Sequence, residues 1–139
     1  MKKDDCIFCK IANGEIPSAT VYEDELFRVI LDIAPAVKGH ALILPKEHYD
    51  NLWALGKEES ERVMNLAAKV SEAQKKALGC DGINLLQNNG VAAGQTVFHF
   101  HMHLIPRYDD DKVTIPWNTL SYAEGEAAKV CETIKAAMQ

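Results

Sequence analysis

Between Phe98 and Pro106 the chain reads Phe-His-Phe-His-Met-His-Leu-Ile-Pro, which puts His99, His101 and His103 at alternate positions. In extended backbone alternate side chains share a face, so the segment predicts a strand over Val97–Ile105. Three imidazoles would line one surface while Phe98, Phe100, Met102 and Leu104 enter a core behind them. A rise of about 3.3 Å per residue separates His99 from His103 by about 13 Å along the backbone, too far for easy shared ligation of one ion at about 2.1 Å. At most two of the three can serve one metal, which leaves at least one for other chemistry.

The rest of the chain must supply a core for that strand. At 139 residues, with 47% apolar and 25% charged side chains, the composition is that of one globular domain. Fifteen basic against twenty acidic residues give a net charge of -5, which argues against nucleic acid or an anionic membrane as partner and says little about small anions. The start, Met1-Lys2-Lys3-Asp4-Asp5-Cys6, has no long apolar stretch, and no later run reaches membrane length. The expectation is a soluble, cytoplasmic protein.

No repeat or low-complexity linker interrupts the sequence. Cys6–Asn13 suits a short helical turn stopped by Gly14 and Pro17, and Thr20–Glu23 and Leu26–Leu31 form a hairpin signal around Asp24. Ala41–Leu44 reads as a short apolar strand. Val63, Leu66, Ala67, Val70, Ala73 and Ala77 recur at helical spacing and predict one long amphipathic helix over Lys57–Leu78, ended by Gly79. Ile83–Gln87 is a further strand, and Tyr122–Met138 a terminal helix. The order is that of an α+β meander rather than a doubly wound sheet.

Cys6 and Cys9 form a Cys-x-x-Cys pair. Without a secretory signal this points to metal binding or redox chemistry more than to a structural disulfide. A tetrahedral zinc site needs two more donors, and His48 and His99, both at strand ends, are candidates. A redox dithiol or two unpaired cysteines are the competing readings. Cys80 and Cys131 have no partner at motif spacing. Gly90-Val91-Ala92-Ala93-Gly94-Gln95-Thr96 is either a plain strand connection or a loop that aims backbone N–H groups at a phosphate beside the histidines.

His99-Phe100-His101-Met102-His103-Leu104-Ile105 fits the His-φ-His-φ-His-φ-φ signature of the histidine triad (HIT) family at every position. Ile7-Phe8, Tyr22-Glu23-Asp24, Leu31-Asp32-Ile33, Gly39-His40, Leu44-Pro45-Lys46, Asn88 and Gly94-Gln95-Thr96-Val97 also resemble the family, especially its Hint branch of nucleotide hydrolases and transferases. The resemblance spans residues 6–106, leaving 107–139 as an extension of a single domain.

It implies a five-stranded antiparallel sheet with one long helix and a C-terminal helix, the sheet continuing across a homodimer. It further implies a purine nucleotide substrate, attack by His101 on the α-phosphorus, and release of AMP or GMP and an amine from a nucleoside phosphoramidate. His103 and His40 would donate to phosphate oxygens, and Thr96 would meet the leaving group. Hint proteins commonly carry Ser at the Thr96 position, which bears on the amines accepted. Asn88, Gly94, Gln95 and Val97 match phosphate and leaving-group contacts, Asp32 the carboxylate on the ribose hydroxyls, and Ile7, Phe8, Ile11, Ile30, Ile33 and Leu42 the walls around the base.

Zinc-containing relatives would place a structural ion on Cys6, Cys9, His48 and His99. Animal Hint proteins lack the cysteine pair, so here the chain resembles bacterial members. A dinucleoside polyphosphate hydrolase or nucleotidyltransferase of a sister branch is the alternative enzyme, and a non-catalytic nucleotide-binding or scaffolding module the alternative outside enzymes. The extension either covers a sheet edge or crosses a dimer to border the partner's leaving-group pocket, with Trp117 its most useful aromatic.

Overall fold

The computed structural model describes residues Met1–Gln139. Helix α1 (Ile7–Ala12) leads to strands β1 (Thr20–Glu23), β2 (Phe27–Leu31) and β3 (Ala41–Pro45), and the long helix α2 (Lys57–Leu78) follows. Strands β4 (Gly82–Leu86) and β5 (Met102–Arg107) complete the sheet, and α3 (Glu126–Ala137) ends the chain. The strands lie in the order β1-β2-β3-β5-β4, every neighbouring pair antiparallel. No helix is long and apolar enough to cross a membrane.

Local chemistry explains most of the boundaries. Asp24 turns the first hairpin: its Oδ1 accepts from the N–H groups of Leu26 and Phe27, both at 2.8 Å. Helix α2 carries Glu58 and Glu59 in its first turn and Lys75 and Lys76 in its last, and stops at Gly79 in the left-handed conformation. Strand β3 is buried at every residue, as a central strand covered on both faces must be.

Alternation divides the sheet into two faces. Phe27, Val29, Ala41, Ile43, Phe100, Met102 and Leu104 pack against Val63, Leu66, Ala67 and Val70 of α2. On the opposite face Ile30, Leu42 and Leu44 pack with Ala12, Phe8 and Ile11 of the α1 region. The register aligns Ile30 with Leu42 and Leu42 with His103, so the last triad histidine emerges on the α1 face.

The triad strand departs from expectation in its start and in the burial of Phe98. Strand β5 begins at Met102, so His99 and His101 precede it. Up to that point side-chain and loop bonds replace the ladder: Phe100 N–H donates to Tyr49 O (2.6 Å), and the His99 ring bonds Pro45 O (2.9 Å). Phe100, Met102 and Leu104 do enter the core, but Phe98 is 45% exposed.

Only the first turn of the extension touches the sheet of its own chain. Arg107 grips Asp111 through Nε and Nη2 (2.8 and 3.0 Å) and Asn84 Oδ1 through Nη1 (2.7 Å), which fixes the departure of the chain from the sheet. Beyond that turn residues 116–139 are all exposed. Gly125 adopts φ 77° at the N-cap of α3, so the terminal helix begins later than Tyr122.

Candidate active site and metal centre

The triad segment separates two clusters. At its N-terminal end Cys6, Cys9, His48 and His99 bring one ligand atom each to within 4.8 Å of the others. His99 Nδ1 lies 3.5 Å from Cys6 Sγ and 3.4 Å from Cys9 Sγ, and His48 Nδ1 lies 3.3 Å from Cys9 Sγ. A tetrahedral zinc with bonds of about 2.3 Å to sulfur and 2.05 Å to nitrogen requires S···N separations of about 3.6 Å.

The outer nitrogens are committed elsewhere, which turns the inner lone pairs towards the sulfurs. His99 Nε2–H donates to Pro45 O at 2.9 Å, and His48 Nε2–H to Asp50 Oδ1 at 2.8 Å. Burial pushes His99 down to about 4 and raises the Cys9 thiol. Helix α1 delivers the sulfurs, since Cys6 is its N-cap and Cys9 lies in its first turn. The residues fit a closed metal site of two thiolates and two imidazoles. Sequence spacing gave no sign of Asp50 as an outer partner, although a carboxylate two residues beyond a candidate ligand is a usable signal.

The second cluster is organised by hydrogen bonds that set the tautomers. His101 Nδ1–H donates to His99 O at 2.7 Å, which leaves the Nε2 lone pair unengaged. Ala36 N–H donates to His40 Nδ1 (3.0 Å), so neutral His40 carries its proton on Nε2 and donates to His103 Nδ1 at 2.8 Å. Neutral His103 must therefore carry its own proton on Nε2, a free donor. The His101 and His103 ring centroids are 5.1 Å apart, so a lone pair and an N–H donor stand side by side.

Burial is the largest cause holding all three imidazoles below their ordinary range, with His103 down to about 4. For His103 the neighbouring His101 and His40 add to the effect, while Asp32 opposes it in all three. The rings are neutral at pH 7.

His101 and His103 open onto a pocket of about 360 Å³. Ile7, Phe8, Ile11, Ile30, Ile33, Leu42, Asp32, Thr96 and Val97 all line it, joined by Ile16, Pro17, Ser18 and Leu31, which the sequence reading did not name as site residues. Phe8 stands edge-on to His101 at 5.0 Å between centroids. Asp32 Oδ1 accepts from Ala34 N–H at 2.9 Å, and Oδ2 lies 3.7 Å from His40 Nε2.

Other expected residues do not reach the pocket wall. His40 is 5% exposed and turned to His103, so it bears on the pocket through that ring. Asn88 and Gly94 lie beside each other outside it. Gln95 is 3% exposed and fully used within the protein: Oε1 accepts from Gly90 N–H, and Nε2 donates to Asp50 O and Val97 O. It braces the loop against the segment after His48.

The chain as a whole has close relatives among known proteins. The chain is 47% identical over 105 residues to "Protein hit" of Bacillus subtilis, covering 76% of this chain and 72% of that one. It is 44% identical over 106 residues to the adenosine 5'-monophosphoramidase hnt1 of Schizosaccharomyces pombe (76% and 77%). With the adenylylsulfatase HINT3 of Arabidopsis thaliana it shares 45% identity over 109 residues (78% and 55%). Among solved structures, SMU.412c of Streptococcus mutans superposes with a TM-score of 0.94 at 38% identity, covering 99% and 88% of the two chains. A zinc-bound histidine triad protein of Mycobacterium smegmatis gives 0.75 at 34% identity, covering 95% and 97%. The HIT domain model matches residues 13–110, so this chain belongs to the HIT domain family.

Proposed function

We propose that this protein hydrolyses purine nucleoside phosphoramidates, releasing AMP or GMP and an amine through a nucleotidyl-histidine intermediate on His101. The observation that carries the reading is the pairing of tautomers over the pocket: His101 offers an unengaged Nε2 lone pair beside the free Nε2–H of His103.

Attack by His101 Nε2 on the α-phosphorus forms a P–N bond to the ring and breaks the bond to the amine, which leaves with a proton drawn from solvent and returned to it when water adds in the second step. His103 donates to a phosphate oxygen as charge develops there, and His40 fixes the His103 ring that does so. Water then cleaves the histidine adduct, releasing the nucleotide and restoring the imidazole. Asp32, with one oxygen anchored by Ala34, faces the pocket to accept from the ribose hydroxyls, and the apolar wall takes the flat base. Thr96 and Val97, on the pocket wall with His101 and His103, would contact the phosphate and leaving group, and the Val97 backbone N–H has no acceptor within the protein. Asn88, Gly94 and Gln95 shape that loop from behind.

Cys6, Cys9, His48 and His99 would hold a structural zinc, whose chemistry is to close a four-ligand shell and fix the backbone ahead of His101. The names of the phosphoramidase and zinc-bound relatives support both readings. The protein would act as a cytoplasmic homodimer, with the outer edge of β4, where Leu85 is 43% exposed, extending the sheet into a second copy.

The test is amine release from an adenosine phosphoramidate by wild type and His101→Ala, side by side at neutral pH. Turnover by wild type alone is expected. Activity retained in the variant would refute the nucleophile. A wild type that cleaves only adenylyl sulfate or dinucleoside polyphosphates would move the leaving group, and one that cleaves none would favour a binding module.

A further inference from the structure

We propose that Gln74, on the far face of the sheet, is a positioning residue for the His40–His103 pair; this rests on the catalytic reading above. Gln74 lies on the inward stripe of α2 with Val63, Leu66, Ala67 and Val70 and is only 8% exposed, a place where an apolar residue would ordinarily pack. Its Nε2 donates to Gly39 O at 3.0 Å and to Leu104 O at 3.2 Å. Both neighbours are carbonyls, so the orientation of the amide follows from the chemistry, and Oε1 is left buried with no donor. A side chain retained at the cost of an unpartnered acceptor is there for its donor half.

The two carbonyls flank the pair: Gly39 precedes His40, and Leu104 follows His103. One planar NH2 group thus ties together the backbone just ahead of β3 and that in β5, while the two imidazoles meet at 2.8 Å. The Leu78 side chain of α2 packs directly over Gly39. Gly39 has φ 92°, and a Cβ there would stand 2.4 Å from Leu78 Cδ1. A hydrogen bond tolerates only a few tenths of an ångström before it weakens. Loosening the clamp therefore releases the His103 ring and the aim of its free N–H.

The test compares Gln74→Met, which keeps the volume and removes the donor, with Val70→Ala, which opens a cavity on the same stripe without touching either carbonyl. Readouts are kcat and KM on the adenosine phosphoramidate, melting temperature, and the imidazole 15N resonances of His40 and His103. Gln74→Met is expected to lower kcat by about 10-fold or more with KM within about twofold, because a misplaced group far from the chemistry acts on the reacting geometry. Both imidazole resonances should move. Val70→Ala should lose melting temperature and keep kcat and the resonances. A Gln74→Met protein whose kcat matches that of Val70→Ala, or whose imidazole resonances stay in place, overturns the proposal. If wild type itself releases no amine, the hydrolase reading fails, and the resonances still decide the clamp.

Discussion

The Cys6/Cys9/His48/His99 cluster and the His40/His101/His103 cluster share one short segment, which gives His99 to the first and His101 and His103 to the second, yet they present opposite chemistry. In the first, both outer nitrogens donate to fixed oxygens, Pro45 O and Asp50 Oδ1, and the inner lone pairs converge on thiols. In the second, the bonds run in relay from Ala36 N–H through His40 to His103, and His101 is turned the other way by His99 O. A nucleophile and a donor differ in the partner of the second ring nitrogen, a carbonyl oxygen for His101 and the His40 N–H for His103. A ligand and a nucleophile differ in what the free lone pair faces, the sulfurs for His99 and the open pocket for His101. Alternate spacing supplies the three rings, and the backbone around them assigns the roles.

The contrast can be broken from either side, and the largest effect belongs to the free lone pair. His101→Ala should lower turnover of an adenosine phosphoramidate by about 10³-fold or more while AMP affinity, read by calorimetry, changes by only a few-fold. His103→Asn should cost about 10²-fold in kcat, the size associated with losing one donor to developing charge. Comparable losses for His99→Ala with metal content intact would erase the distinction between the clusters.

At the other cluster, Cys9→Ser should abolish stoichiometric metal in native mass spectrometry. It should lower stability by about 3 kcal/mol, the linkage expected for a ligand present far above its dissociation constant, with activity falling as a consequence. Exhaustive chelation of wild type should reproduce the loss.

The smallest effect is in pH. His103 is lowered to about 4, so between pH 6.5 and 4 the unfolded chain binds a proton there that the folded chain resists. Its contribution to stability is fully present above pH 6.5 and is lost as pH falls towards 4. The difference in melting temperature between wild type and His103→Asn should stay flat above pH 6.5 and shift against wild type below it.

Much of this was legible in the sequence because it rests on periodicity and local caps. Helix α2 spans the predicted Lys57–Leu78, and Thr20–Glu23 is the first strand, because apolar spacing, Gly79 and Asp24 act over a few residues. The four metal donors were legible as residue types. The N-terminal reach of β5 was not, because Phe100 N–H leaves the ladder for Tyr49 O, a bond between segments far apart in sequence. The tautomers were hidden for the same reason, since Ala36 N–H and Pro45 O are backbone groups that no residue pattern displays. Gln95 matched a substrate contact by position yet spends its amide on the loop, and Gln74 looked like one more polar residue on a helix.

Adduct mapping decides whether His101 alone carries the nucleotide. Wild-type protein is mixed with an adenosine phosphoramidate, quenched in base to preserve phosphohistidine-type bonds, digested, and fragmented across residues 99–103. An adenylyl group is expected on His101, forming before amine release reaches steady state and absent in His101→Ala. An adduct on His99 or His103, or amine release with no adduct at any time point, would contradict it.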